Sequence, residues 1–192
     1  EVYNNLGIIC LNSKNIKASI NYFDQAIKLN PKFSMAYCNL GLAYNKIGQF
    51  EKASENYLKA IESDKKNIIA YFNIGNLFKF KGDLDKAEQN FNKAIDLDSN
   101  MIMAYNNLFE IFDRSNQFKK LENILNKAKQ KFKDHPLVNF FVGIYEYKKK
   151  NYNEVIKVYE KIVLDKNDIG RLTVRNELLA KSYDHIGNYD KA

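Results

Sequence analysis

Apolar residues recur along this chain at helical spacing, in stripes that come in pairs. The first stripe of one pair follows positions i, i+3, i+4 and i+7 of a helix and consists of Tyr37, Leu40, Gly41 and Tyr44. A second stripe with the same spacing runs from Phe50 to Ile61, and Gly48 lies between the two. Because glycine has no Cβ and fits a tight turn, the pattern predicts two antiparallel helices that pack along these stripes.

The paired stripes repeat every 34 residues. The positions of Tyr37, Gly41 and Tyr57 recur one period later and one period earlier, as Tyr71, Gly75 and Phe91 and as Tyr3, Gly7 and Phe23. A fixed period of this length is typical of a stacked repeat array and not of an enzyme with one compact core. We therefore predict an all-α solenoid of antiparallel helix pairs, forming a single array over residues 1–192. Its units are expected at about 1–33, 34–67, 68–101, 102–135, 136–170 and, incomplete, 171–192.

The order of residue types within a unit resembles the tetratricopeptide repeat family. The family pattern has a large aromatic residue, Leu-Gly, Tyr, Ala, Phe, Ala and Pro in that order. One unit of this chain carries Tyr37, Leu40, Gly41, Tyr44, Ala53, Tyr57 and Ala60. The resemblance covers the whole chain in about five and a half repeats. It implies a right-handed α-α superhelix.

The later units depart from this pattern. Phe109 stands where the first three units have glycine, and Leu121 stands where they have Ser or Ala. We expect the two helices of the fourth unit to lie farther apart, or to cross at a different angle, than those of the second and third. A sixth unit, with Leu179, Ala180, Tyr183 and Ala192, begins three residues late. We therefore expect a short insertion in a loop near Asp168, Ile169 and Gly170.

The composition of the chain limits the classes of partner that it is expected to bind. The formal net charge is +7, and lysines are dense in 127–133 and 148–150. They form either a basic patch for a polyanion or a solvated outer face. We favour the solvated face, since acidic residues are interspersed and no nucleic-acid motif occurs, so nucleic acid is not an expected partner. No apolar run approaches the roughly 20 residues of a membrane span, so no membrane association is expected.

The cysteines and the two ends of the chain give weaker indications. Cys10 and Cys38 are too far apart for a metal or redox motif, and we interpret both as small hydrophobic residues that are buried or half-buried. Free cysteines fit a reducing compartment, which indicates the cytoplasm. Glu1 already lies inside a helix stripe and Ala192 at the start of one. We therefore expect a fragment of a longer protein, whose uncapped terminal repeats associate end to end.

Residues that carry chemistry are not grouped in the sequence. His135 and His185 have no Cys, Asp or Glu at the spacing of metal ligands. No nucleophile motif, zinc-protease motif or phosphate-binding loop occurs. We expect neither a catalytic residue nor a metal site nor a cofactor, and we interpret the chain as a protein that is not an enzyme.

A row of asparagines is the strongest candidate for a functional surface. The residue before each Leu-Gly pair, or its equivalent, is asparagine in four units: Asn5, Asn39, Asn73 and Asn107. Each lies about 200° around the helix from the unit's first aromatic residue. The family resemblance implies that this side of the first helix lines a concave groove. We expect the groove to include the helical neighbours Met35, Leu42, Lys46, Ile69, Asn76, Phe80, Met103, Glu110 and Arg114.

An asparagine row can act in two ways. A carboxamide both donates and accepts, so the row could bind the backbone of an extended peptide without contacting its side chains, much as in the superhelical arm of the O-linked N-acetylglucosamine transferases that it resembles. Alternatively, the asparagines only solvate the groove, since asparagine before Leu-Gly is common in the family. In the fifth unit Phe141 takes the place of asparagine. Its surroundings are so apolar that it forms either an anchor pocket, a seam to another domain, or a compensating repacking.

Three functional classes are consistent with the sequence. The first is a protein–protein interaction scaffold that binds a peptide or protein segment along the groove. The second is the substrate-presenting arm of a larger glycosyl- or sulfotransferase whose catalytic domain lies outside this segment. The third is a solenoid that binds a polyanion through its lysine-rich units. We favour the scaffold.

Overall fold

The structure is a computed structural model that describes residues 1–188 and residue 191. Every regular element in these residues is an α-helix, as predicted. The helices are α1 (Val2–Asn12), α2 (Ile16–Leu29), α3 (Ser34–Lys46), α4 (Phe50–Ser63), α5 (Ile68–Lys81), α6 (Leu84–Leu97), α7 (Ile102–Arg114), α8 (Phe118–Lys131), α9 (Pro136–Lys148), α10 (Tyr152–Lys161) and α11 (Ile169–His185). Ala192 of the predicted sixth unit lies outside the described residues. None of the described helices is long and apolar enough to cross a membrane.

The chain forms two compact units that are each larger than one 34-residue repeat: the first unit is Glu1–Ala104 and the second unit is Tyr105–Ala192. The division between them falls in the first turn of α7. Each unit is built from helix pairs, which confirms the all-α, solenoid-like class. The single array over residues 1–192 stays a prediction.

The first unit contains three helix pairs, α1 with α2, α3 with α4 and α5 with α6. Within this unit α2 packs against α3 and α4 packs against α5, and the first helices α1, α3 and α5 also contact one another in order. Glycine makes the close approach within a pair. A Cβ on Gly41 would lie 2.7 Å from the ring of Tyr57, and one on Gly75 would lie 2.8 Å from the ring of Phe91. The periodic glycines are therefore required because a buried ring occupies the space of their side chain.

The turns within pairs share one backbone conformation. The predicted turn residues Gly48 and Gly82 have φ of 74° and 82°, in the left-handed region that favours glycine. One period away, Lys14 and Asn116 adopt φ of 61° and 54° without being glycine. Asparagine and aspartate side chains then cap several helices, as at Asn67, whose Oδ1 accepts from the Ala70 N–H at 2.9 Å.

The second unit contains α8 to α11 and most of α7. Phe109, at the glycine position, is fully buried. Leu125, sixteen residues later, occupies the place that holds Phe23, Tyr57 or Phe91 in the first unit. The large and small residues have thus exchanged helices, so that α7 carries the ring and α8 the smaller side chain. The predicted change in spacing between these two helices stays a prediction.

The boundary between α10 and α11 differs from the expectation. We expected an insertion in a loop near Asp168, Ile169 and Gly170; the irregular segment is 162–168, and Ile169 and Gly170 already form the first turn of α11. Helix α10 has 10 residues and α11 has 17, against 13 or 14 in each helix from α2 to α9. The start of α11 is set by Asp168, whose Oδ1 accepts from the Arg171 N–H at 3.1 Å.

Candidate functional site

The asparagines of the first unit lie on one face formed by α1, α3 and α5. Asn5 is exposed, whereas Asn39 and Asn73 are half-buried. Both half-buried amides contact the preceding first helix: Asn39 Nδ2 donates to Asn4 Oδ1 at 2.9 Å, and Asn73 Nδ2 donates to Cys38 Sγ at 3.7 Å. These bonds fix the orientation of both carboxamides.

The two bonds leave the oxygens of the carboxamides available. Among the described residues, neither Asn39 Oδ1 nor Asn73 Oδ1 accepts a hydrogen bond, and both side chains keep part of their surface in solvent. The thiol beside Asn73 is itself uncharged. Burial raises the pKa of Cys38 to about 11, and the bond from Asn73 lowers that pKa only in part. The face therefore presents neutral acceptors at a fixed orientation.

Apolar side chains border this row on its N-terminal side. Met35 and Ile69, one turn before Asn39 and Asn73, are 42% and 45% exposed. They also line a cavity of about 560 Å³ at the starts of α3 and α5, together with Phe33 and Met101.

The C-terminal side of the row is more varied. Leu42 and Asn76 are half-buried, and Leu42 packs against the core of the first two pairs. Lys46 is exposed. Phe80 is 71% exposed, with its ring centroid 4.9 Å from that of Phe50. The structure therefore brings the predicted groove residues of the first unit onto one face, with apolar side chains along one edge and both basic and aromatic side chains at the other.

The predicted groove residues of the second unit have a different environment. Asn107 is buried, with 6% of its surface exposed, so a ligand would reach it only if surrounding side chains moved. Phe141 is also buried, and its ring centroid lies 4.9 Å from that of Phe109 and 5.3 Å from that of Phe140. Met103, which lies at the start of α7 and still belongs to the first unit, is exposed. The role of Asn107 in a groove stays a prediction.

Glu110 and Arg114 lie on α7 beside a polar cluster that the sequence did not reveal. Arg171, in the first turn of α11, donates from Nη2 to Asn106 Oδ1 at 3.1 Å and pairs with Asp168. Its Nη2 also lies 3.8 Å from Glu110 Oε1. Glu110 Oε1 in turn accepts from Asn106 Nδ2 at 3.0 Å. Glu110, Asp168 and Arg171 line an open cavity of about 540 Å³ between α7, α9 and α11, which Arg114 and Phe141 also line.

No sequence signal identified Arg171, because its partners on α7 are about 65 residues away in the chain. The repeat pattern places residue 171 at the start of the incomplete sixth repeat, before its first apolar signature residue, where a charged side chain is unremarkable. Asn106 was hidden in a similar way, since it lies next to the asparagine row and not in it.

Comparison with known proteins agrees with the repeat architecture. Three sequence models of this family match: a TPR repeat model at residues 43–80, and two tetratricopeptide repeat models, one at residues 1–33 and 68–101 and the other at residues 22–53. Together these matches cover residues 1–101 without a gap. A comparison with curated protein sequences gave no match.

Solved structures resemble the chain over most or all of its length. The structure of PilF from Pseudomonas aeruginosa is 18% identical with a TM-score of 0.80, and the match covers 100% of this chain and 86% of that one. PilW, a widely conserved type IV pilus biogenesis factor, is 16% identical with a TM-score of 0.72, covering 100% and 87%. YrrB, a TPR protein with an unusual peptide-binding site, is 16% identical with a TM-score of 0.66, covering 90% of each chain.

These likenesses concern the fold, because all three identities are low. They agree with the all-α, solenoid-like arrangement of helix pairs. The chain belongs to the tetratricopeptide repeat family.

Proposed function

We propose that this protein is an interaction scaffold that binds an extended peptide across the face of α1, α3 and α5, with the carboxamide oxygens of Asn39 and Asn73 accepting hydrogen bonds from peptide backbone N–H groups. The observation that carries the proposal is the orientation of these two amides. Their Nδ2 groups donate to the preceding helix, which leaves the oxygens as the available acceptors on a partly exposed face. Helical repeat proteins generally use such extended surfaces to bind other proteins.

The spacing of the helices fits an extended chain. Packed helices lie about 8–10 Å apart, and an extended peptide in the polyproline II conformation repeats every three residues at a rise of about 3.1 Å per residue. Successive carboxamides on α3 and α5 would therefore meet about every third backbone N–H of a peptide that crosses the helices. YrrB, which has a similar fold, is described as having a peptide-binding site, and this supports the same class of ligand.

The edges of the face supply side-chain contacts. Met35 and Ile69 lie four residues before Asn39 and Asn73, so they recur with the same 34-residue period. Both expose apolar surface beside the carboxamides. Apolar surface that leaves water contributes about 25 cal/mol per Å². We infer that bound peptides carry apolar residues toward this edge, at the same three-residue spacing.

A peptide library tests the proposal directly. Phage-displayed peptides selected on the whole chain are synthesised, and their affinity is measured by titration calorimetry. Replacing both Asn39 and Asn73 with Ala should weaken binding by about 2 kcal/mol, since each lost hydrogen bond contributes about 1 kcal/mol. The matched control is Asn90→Ala on α6, where Nδ2 donates only to the Lys86 carbonyl of its own helix.

Two further measurements separate binding from folding. Replacing both asparagines with Asp keeps the accepting oxygen but removes the donor to the preceding helix, so affinity should be retained while thermal stability falls. N-methylation of single backbone amides along the peptide should reduce affinity at about every third position. A uniform response to methylation, or equal loss of affinity in the Asn90→Ala control, would contradict backbone recognition by the two carboxamides.

A further inference from the structure

Helix α1 has apolar side chains on two opposite sides. Its inner side carries Gly7 and Leu11, which are buried. Its outer face, as we call it, consists of Val2, Leu6 and Ile9 at positions i, i+4 and i+7, which are 72%, 37% and 61% exposed. No charged residue lies within α1, and a helix that is apolar on both sides is typical of one that is covered on both sides. The outer face therefore has the composition of a buried interface although it is exposed.

The same repeat positions are buried in the next two first helices. One and two 34-residue periods after the outer face of α1, the equivalent residues of α3 and α5 are at most 4% exposed: Ala36, Leu40 and Ala43 on α3, and Ala70, Ile74 and Leu77 on α5. The exposure of the outer face is thus particular to α1 and does not belong to this position of the repeat.

A second helix covers these positions in both cases. Leu40 belongs to one apolar cluster with Phe23 of α2, the second helix of the preceding repeat. Ile74 and Leu77 belong to another cluster with Tyr57 of α4, which has the same relation to α5. Both α2 and α4 are amphipathic helices of 14 residues. The outer face of α1 continues this interface by one repeat, and the interface identifies the kind of element that fits it.

We propose that the outer face of α1 binds an amphipathic helix of a partner protein, whose apolar side resembles those of α2 and α4 and whose polar side faces solvent. Val2 and Ile9 are larger than Ala36 and Ala43, their equivalents on α3. Because the distance between packed helices depends on the side chains at the contact, a partner helix with small residues opposite Val2 and Ile9 fits best.

A second copy of the chain is a poorer occupant. The second helices α2, α4, α8 and α10 of such a copy already pack against the first helix that follows each of them. When no partner helix is present, the outer face is still available for the self-association that we expect at high concentration. A partner helix should therefore compete with self-association.

This inference goes beyond the proposed function and does not rest on it. Its residues lie on the outer face of α1, whereas the carboxamides proposed to bind peptide backbone, Asn39 and Asn73, lie on α3 and α5. The two sites can therefore be tested separately.

The probe is a synthetic copy of α4 with the sequence of residues 49–64, acetylated, amidated and labelled with a fluorophore. Isolated helices of this length are marginally stable in water, so a lactam joins Glu55 and Lys59, which are exposed and four residues apart. Binding to the whole chain is followed by fluorescence anisotropy. We expect saturable binding, and a companion probe with Tyr57→Lys on its apolar side should bind at least about tenfold more weakly.

Two substitutions in the whole chain locate the site. Ile9→Lys places a charge on the outer face and should weaken probe binding at least about tenfold. Leu29→Lys, which changes a 73% exposed leucine of α2, should leave binding unchanged. Thermal unfolding checks that both variants remain folded, as expected for substitutions of exposed residues. Failure of the probe to saturate, equal binding of the two probes, or equal effects of the two lysine substitutions would overturn the inference.

A third variant separates this site from the proposed function. The Asn39→Ala and Asn73→Ala double substitution should leave probe binding unchanged. If it weakens that binding, the probe occupies the face of α3 and α5, and the inference about α1 is wrong. If it weakens only the library-selected peptides, both proposals stand.

Two further experiments test the alternative occupants. Saturating probe should suppress any self-association seen by sedimentation; self-association that Ile9→Lys abolishes but the probe does not would show that the face binds a second copy. In the other experiment, the sequence of residues 49–67 is added before Glu1, and this extended chain should no longer bind the free probe. If the extension protects α1 from hydrogen exchange but the free probe does not bind the original chain, the face acts only within one polypeptide and the inference fails.

Discussion

The same substitution at equivalent positions of two repeats should have opposite effects. Tyr57 and Tyr159 occupy the same position in their 34-residue repeats. Each ring packs against a glycine of the helix with which it is paired, Gly41 for Tyr57 and Gly143 for Tyr159. The Tyr57 hydroxyl is buried and makes no hydrogen bond to any described residue, whereas the Tyr159 hydroxyl donates to the Phe140 carbonyl at 2.9 Å. Burial accordingly raises the pKa of both phenols well above their usual value.

The expected stability changes depend on whether the hydroxyl that is removed had a hydrogen-bond partner. A buried polar group without a partner costs about 1–3 kcal/mol, so Tyr57→Phe should stabilise the first unit by about 1 kcal/mol or more. Tyr159→Phe removes a made hydrogen bond and should destabilise the second unit by about 1 kcal/mol. Phenylalanine fits this place, because Phe23 and Phe91 occupy it in two other repeats and are fully buried.

Native-state hydrogen exchange is the suitable assay, because repeat arrays open locally and a single melting curve would mix the units. Amides of α3 and α4 should gain protection in Tyr57→Phe, and those of α9 and α10 should lose it in Tyr159→Phe. A total difference of about 2 kcal/mol corresponds to roughly 30-fold in exchange rate. Changes of the same sign in both variants would show that the two hydroxyls do not differ in this way.

Four more results are expected. Gly75→Ala should destabilise the first unit by about 1–3 kcal/mol, because the added Cβ would overlap a buried ring. Gly170→Ala should instead stabilise α11 by about 0.5–1 kcal/mol, because the nearest atom to the added Cβ is 4.0 Å away. Chemical unfolding of both variants measures the two effects. Asp168→Ala should cost about 1 kcal/mol at neutral pH. Hydrogen bonds from Arg171 lower the pKa of Asp168, so the stability it contributes is present above the ordinary value of 3.8 and is lost as the pH falls through the lower folded-state pKa, which unfolding at a series of pH values will show. An acidic peptide with a free C-terminal carboxylate should bind no more tightly than its amidated form, and tight binding that is lost on amidation would contradict this. Val2 and Ile9 expose 72% and 61% of their surface on α1, so replacing both with Ser should reduce the expected self-association, which sedimentation at high concentration measures.

The repeat period predicts most of the fold because it combines two independent signals. Apolar spacing sets which residues form helices, and glycine at fixed places sets where helices approach and turn. The turn at Lys14 could be located only by the period, since lysine itself does not favour the left-handed conformation that it adopts. The same period predicts that Asn39 and Asn73 share a face.

The differences arise where contacts distant in sequence decide the outcome. The extra turn of α11 depends on the cap at Asp168 and on contacts of Arg171 with α7, and neither appears in a local pattern. The three-residue offset of the sixth repeat predicted a loop near Gly170, yet this glycine lies in the first turn of a helix. The bonds that fix the carboxamides of Asn39 and Asn73 were also not predictable, because they join neighbouring repeats through Asn4 and Cys38, which differ in type at the same repeat position.

The buried thiol of Cys38 allows local opening of the first unit to be measured by its rate of alkylation. With a pKa of about 11, roughly one molecule in 10⁴ carries the reactive thiolate at pH 7, and the side chain is almost wholly enclosed. Alkylation of Cys38 therefore requires that α3 separate from its neighbours, so the labelling rate counts these openings in the unmodified protein. Cys10, which is half-buried on α1, provides an internal comparison within the same chain. Mass spectrometry measures the alkylation of both cysteines in a single reaction. It would thus show whether a ligand slows the local opening of the repeats to which it binds.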